Sequence, residues 1–188
     1  MKKIIAIIAA ALCALTMNAQ DSAQIISKIE KANSSSRTVR ENFSEVMTPA
    51  DKSLKQKKRE GVFEYKPDYF RMDYTNNDLF LIENNVMTLK NGAATQKFDL
   101  TKNLMMKGLS NTLMYAFQGQ LTKLAVEQNA DITASRDGNF YLVTLKAKKK
   151  APRGYSQIVV YYRVSDCMIN SMRMDEFTGA STYYSIAK

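Results

Sequence analysis

Between Gly61 and Tyr74 large side chains fall on alternate positions. Phe63 and Tyr65 precede a Lys66-Pro67-Asp68 corner, and Phe70, Met72 and Tyr74 follow it. Successive side chains of an extended chain point to opposite faces, so this spacing gathers the apolar groups on one side of a hairpin. Pro pre-sets the turn and Asp tolerates the left-handed backbone that such a corner needs. A sheet with one apolar face must cover that face with something. The segment therefore demands a curved antiparallel sheet with more apolar surface than a single hairpin buries.

The same alternation recurs along the chain, punctuated by turn residues. Strands are expected over 38–47, with Phe43 as the main anchor, and over 56–66, 69–75, 78–83, 86–90 and 95–100. Asn76-Asn77, Asn84-Asn85 and Asn91-Gly92 supply the turns between the later ones. The period then changes. Leu104, Met105, Leu109, Leu113, Met114, Phe117, Leu121 and Leu124 recur at helical spacing, interrupted by Gly108 and Gly119, which predicts two short helices or one broken helix. Strands resume over 131–135, 139–146, 156–164, 168–177 and 180–186, with turns at Asp137-Gly138 and Thr178-Gly179. Ahead of the first strand, Asp21 or Ser22 caps a helix that puts Ile25, Ile26 and Ile29 on one face, continued by Ala32. The predicted fold is mainly β with α: about eleven antiparallel strands in meander order, curled into an unclosed barrel. The helical insertion lies across the open side.

Residues 1–19 read as a secretory signal peptide. Lys2 and Lys3 precede an apolar run over 4–15, shorter than the ~20 residues of a membrane span, and small residues lead to Ala19. Residues 20–188 then form one domain, expected in the periplasm of a Gram-negative bacterium. Cleavage leaves Cys167 as the one cysteine, so no intrachain disulfide is expected. The net charge of +9 favours anionic partners. Export argues against nucleic acid and leaves acidic proteins or lipid headgroups. Two basic clusters stand out, Lys52, Lys55, Lys57, Lys58 and Arg59, and later Lys146, Lys148, Lys149, Lys150 and Arg153. Simple meander parity puts them at opposite ends of the barrel, the later one beside the Lys66-Pro67 corner. Lys148, Lys149, Lys150 and Arg153 are therefore the expected contact for a partner or headgroup at the cavity mouth.

Catalysis is poorly supported. The chain has no His, which removes Ser-His-Asp and Cys-His arrangements and His ligands for zinc. Asp175 and Glu176 point to opposite faces of a strand and cannot pair. There is no glycine-rich phosphate loop. No enzyme activity, cofactor or metal is expected.

The ordered set Gly61, Phe63, Lys66-Pro67, Phe70-Arg71 and Tyr74, then residues 140–146 and 158–162, then Met174, Glu176, Gly179 and Tyr184, resembles the LolA-type periplasmic lipoprotein carriers and their outer-membrane receptor relatives. The resemblance covers nearly the whole mature chain. It implies an unclosed barrel under a helical lid, with lipoprotein acyl chains held between the two. It also implies an inner-membrane lipoprotein-releasing transporter and an outer-membrane acceptor as partners, and no cofactor. Members place Arg just before the corner proline as a latch on the lid; here Lys66 stands there, with a point charge instead of a planar fork.

On this reading Phe43, Phe63, Tyr65, Phe70, Met72, Tyr74, Val160, Tyr162, Met172 and Met174 line the cavity. Leu109, Leu113, Met114 and Phe117 form the lid, and Lys66 latches it. The bland alternative is that these are core residues packed on helices. Residues 140–145 are apolar on both faces, so parity leaves open which face looks inward. The function expected is a periplasmic chaperone that takes lipoprotein acyl chains from the inner to the outer membrane. The alternatives are a binding module for another amphiphile, such as a free lipid or polyketide, and an enzyme that shepherds a reactive intermediate. An enclosed cavity needs no second subunit, so a monomer is expected.

Overall fold

The computed structural model describes residues 21–34, 38–150 and 154–187. The signal-peptide reading and Arg153 lie outside those residues. Helix α1 covers 21–33. It is followed by β1 (Val39–Thr48), β2 (Lys57–Lys66), β3 (Tyr69–Tyr74), β4 (Leu79–Glu83), β5 (Val86–Asn91) and β6 (Ala94–Asp99). The insertion is two helices, α2 (Leu104–Phe117) and α3 (Leu121–Glu127). The chain ends in β7 (Ala130–Asp137), β8 (Phe140–Ala147), β9 (Tyr155–Arg163), β10 (Ile169–Glu176) and β11 (Ser181–Ala187).

All eleven strands belong to one antiparallel sheet, ordered β6-β5-β4-β3-β2-β1-β11-β10-β9-β8-β7. Both expected meanders are present. They are joined by the first and last strands, with Phe43 opposite Ile186 and Thr48 opposite Ser181. Strands β6 and β7 are the two edges, so the barrel stays open. Its core is the concave face of the sheet together with the inward sides of the helices.

Local chemistry explains the turns. Asn84 and Asn85 both adopt positive φ, at 52° and 60°, in the two-residue loop between Glu83 and Val86. Such a loop matches the strand twist, and Asn tolerates it. Gly61 has a different reason for being glycine. A Cβ there would collide with the Asp73 backbone oxygen. The backbone of the neighbouring strand approaches too closely for any side chain.

The helical insertion breaks at Gly119 and not at Gly108. Gly108 sits inside α2 with only the Glu127 side chain, at 3.5 Å, near its missing Cβ. Gly119 has φ of 63°, and a Cβ there would lie 2.8 Å from Asn33 Nδ2 and 3.1 Å from Ile29 Cγ2. A glycine is thus required both to reverse the chain and to let α1 dock. Ile29 of α1 is fully buried, but Ala32 is exposed. Asn33 takes the inward role instead, donating to Ile29 O at 2.9 Å and to Cys167 O at 2.8 Å.

One expectation is corrected. The Lys148–Lys150 turn does not share an end with the Lys66-Pro67 corner. Strand β1 runs away from the rim that carries the corner, and β11 is antiparallel to it. Counting strands from there puts the β1–β2, β8–β9 and β10–β11 turns together on the opposite rim. The reason is the insertion. Strand β6 ends on the corner's rim, where Leu100 N–H donates to Asn85 O. Strand β7 starts on the other, where Lys148 N–H donates to Asn129 O. The helices cross the full sheet, and this resets the parity of every later turn.

Candidate functional site

The concave face is built by strand alternation. Phe43, Phe63, Tyr65, Phe70, Met72, Tyr74, Val160, Tyr162, Met172 and Met174 are all buried on it. So are Phe80, Ile82, Met87, Leu145 and Tyr184, which belong to the same lining. Period-two spacing in β4 and β5 is the signal that finds the first three. Strand β8 turns Tyr141, Val143 and Leu145 inward, which settles the face that its sequence leaves open. In β10 a register shift between Ile169 and Ser171 lets Ile169, Ser171, Met172 and Met174 all be buried despite their mixed parity.

Helix α2 plugs this face. Phe117 is fully buried, with ring centroids 5.0 Å from Phe63, 5.0 Å from Phe70 and 6.0 Å from Tyr184, all edge-to-face. Leu113 is buried beside it. Met114 and Leu109 are half-buried and line grooves on two different sides of α2. Met114 lies beside the Lys66–Asp68 corner, in a groove of about 900 Å³. Leu109 faces the β8–β9 and β10–β11 turns. The expected lid stripe is therefore two buried anchors flanked by two groove-lining side chains.

The latch differs from the expected one. The Lys66 ammonium lies 4.8 Å from the Tyr69 ring centroid, and the Lys66 backbone carbonyl is what meets the lid, accepting from Gln118 Nε2 at 3.0 Å. A second tie comes from the cavity wall. Tyr162 donates its hydroxyl to Ala116 O at 2.6 Å, in a fully buried setting. The lid's Gln118 thus bonds to backbone at the β2–β3 corner, and the wall's Tyr162 bonds to backbone at the end of α2. Neither role is legible from sequence, because Gln118 reads as a helix terminus and Tyr162 as lining. Tyr162→Phe keeps the packing and removes one buried hydrogen bond. Ala116 O still accepts from Gly119 N–H, so the expected cost is only about 1 kcal/mol. The diagnostic result is local: amide exchange should speed up in α2 while the β9 and β10 amides stay protected.

The lining has a polar stop on the rim that carries the β1–β2 turn. Glu45 of β1 is buried and accepts from Arg59 Nε at 2.5 Å. Arg59 Nη2 donates to the Tyr74 hydroxyl at 3.2 Å, with the guanidinium carbon 4.0 Å from the Tyr74 ring centroid. Asp78 Oδ2 lies 4.0 Å from Arg59 Nη1. Hydrogen bonds from Gly92 N–H and Asn76 hold the Asp78 carboxyl below the ordinary carboxylate range. Tyr74 thus marks where apolar lining gives way to a paired charge network.

Burial pushes several phenols up. Tyr155 rises to about 12, and burial raises Tyr74, Tyr162 and Tyr184 as well. The folded state favours their neutral form relative to the unfolded chain, where a phenol titrates near 10. Their contribution to stability is full below about pH 10 and is lost as pH rises toward the folded values. Alkaline unfolding is expected to start near pH 10, with phenolate absorbance and far-ultraviolet circular dichroism changing together. Complete tyrosine titration with unchanged circular dichroism would contradict this.

No family model matches the chain, and no curated protein does. Among solved structures it is similar to a LolA superfamily protein of Nitrosomonas europaea, with 6% identity over 89% of this chain and 92% of that one and a TM-score of 0.41. It is similar to a DUF1329 family protein of Desulfovibrio piger, with 11% identity over 88% and 89% and a TM-score of 0.45. It is also similar to the Mycobacterium tuberculosis lipoprotein LppX, with 9% identity over 88% and 94% and a TM-score of 0.40. The open antiparallel sheet with helices across its gap has the architecture that the resemblance of the corner residues implies. Likenesses at these TM-scores concern the course of the chain and say nothing of cargo. No helix among the described residues is long and apolar enough to cross a membrane.

Proposed function

We propose that this protein is a periplasmic carrier that holds the acyl chains of a lipoprotein against its concave face, and that it is not an enzyme. The observation that carries the reading is the nature of the cover. A continuous apolar sheet face is closed by a helix and its Phe117 plug instead of by strands. At its end that helix is tied down by the Gln118 and Tyr162 hydrogen bonds. Each CH₂ of an acyl chain removed from water contributes ~0.8 kcal/mol. A few methylenes therefore match the net contribution of those bonds, and a longer segment competes with Phe117 itself. Displacement of α2 loads the carrier, and return of α2 expels the chain.

A monomer suffices for this cycle, because plug and lining belong to one chain. The chain then receives cargo from an inner-membrane lipoprotein-releasing transporter and passes it to an outer-membrane acceptor. Native mass spectrometry of protein purified from its own envelope tests the proposal. A bound acylated peptide is the expected result. A bound free lipid or polyketide would overturn the lipoprotein reading and assign the same face to another amphiphile. A bound aromatic metabolite would point to substrate shepherding.

A further inference from the structure

The two basic clusters meet on one rim. Lys52, Lys55, Lys57 and Lys58 surround the β1–β2 turn, Lys148, Lys149 and Lys150 open the β8–β9 turn, and all are exposed. The β10–β11 turn bridges them. Phe177 N–H donates to Gly154 O at 3.3 Å, and a Cβ at Gly179 would lie 4.0 Å from Ala50 Cβ. At ~4.8 Å per strand interval, the arc from β8 to β2 is roughly 25 Å long. The acids beside it are engaged: Asp131 pairs with Lys148 at 3.4 Å, Asp51 accepts from Ser53 N–H, Glu176 accepts from Thr178, and Glu127, which lines the adjoining groove, accepts from Asn111 Nδ2 at 3.0 Å. Arg59 is turned inward onto Glu45.

Aliphatic side chains project from the same region. Leu54 is 60% exposed, Leu104 76% and Met105 53%. Leu104 and Met105 border a groove of about 550 Å³ whose rim includes Lys149, Phe177 and Thr178.

We infer that this rim is a docking surface for an anionic bilayer, drawn in by the lysines and seated by Leu54, Leu104 and Met105. Charge complementarity selects the class of partner. The exposed cations of the described turns are lysines, hydrated point charges that suit non-directional attraction to headgroups. Carboxylates of an acidic protein are better met by the arginine fork. Aliphatic tips among basic residues are the pattern that settles at the headgroup–acyl boundary. Docking here faces the groove beside α2 toward the membrane. The inference stands apart from the cargo reading, since bilayer affinity is measured with no cargo transferred.

The test uses protein purified from an expressing bacterium as that cell processes it, floated with phosphatidylglycerol-rich vesicles or with pure phosphatidylcholine vesicles. Binding to the anionic vesicles is expected to be at least about tenfold stronger and to weaken as salt rises. The rim variant Lys52→Gln/Lys55→Gln/Lys149→Gln/Lys150→Gln should lose about tenfold or more. Lys31→Gln/Lys97→Gln/Lys107→Gln/Lys123→Gln removes the same charge elsewhere and should bind as the parent does. Leu54→Ser/Leu104→Ser should lose the binding that survives high salt. Equal affinity for both vesicle types, an unaffected rim variant, or an equal loss in the control variant would overturn the inference. So would absent flotation combined with polyglutamate binding that the rim variant loses, which would give the rim to an acidic protein instead.

Discussion

Phe117→Ala is expected to lower stability by about 3–5 kcal/mol, the usual range for removing a fully buried phenylalanine. The ring sits among Phe63, Phe70 and Tyr184, residues of three strands, β2, β3 and β11. No neighbouring side chain of α2 can fill its place, because Leu113 is already packed and Met114 points to the corner groove. The loss should therefore fall near the upper end. Chemical denaturation checks the magnitude. The same change separates lid from core. If α2 yields to cargo, a weaker plug is displaced more easily, and a fluorescent hydrophobic probe should bind several-fold better despite the lower stability. Lower stability with unchanged probe binding would make α2 a fixed part of the core and would remove the moving part of the proposed carrier.

Glu45→Ala is the other large effect, expected to cost about 3 kcal/mol. Removing one member of a buried ion pair strands the other, and the penalty exceeds what the intact pair contributes. Arg59 retains some solvent exposure and the neighbouring Asp78, which keeps the value at the low end of that range. The informative comparison is Glu45→Met with Arg59→Met. If the penalty is that of an uncompensated charge, the double variant should recover most of the loss, because two apolar side chains extend the lining instead of breaking it. Equal instability in the single and double variants would mean that the network supplies packing or turn geometry with no substitute. Urea denaturation of the three proteins decides this.

The strands, the turns and the helical character of the insertion are all legible from sequence, because each rests on neighbours in the chain. Phe63 and Tyr65, or Phe70 and Met72, need only a period of two to be placed on one face. Asn84-Asn85 needs only its own backbone preference to be read as a tight loop. The inward face of most strands follows from the same local rule. Tertiary structure decided what depends on partners far along the chain. The β1–β11 pairing joins residues more than a hundred positions apart, and no local pattern marks it. The helices spanning the sheet reset turn parity, which moved Lys148–Lys150 from the corner's rim to the other. The lid is tied by the Gln118 amide and the Tyr162 hydroxyl because those groups happen to reach backbone oxygens of distant elements. Glu45 and Arg59 look like solvated strand residues in sequence, and only the β1–β2 register, which sets them opposite each other on the concave side, places them as a buried pair. Periodicity is a property of the local chain. Contacts between polar groups on different strands are set by register and curvature, and these appear only when the whole sheet has closed around its helices.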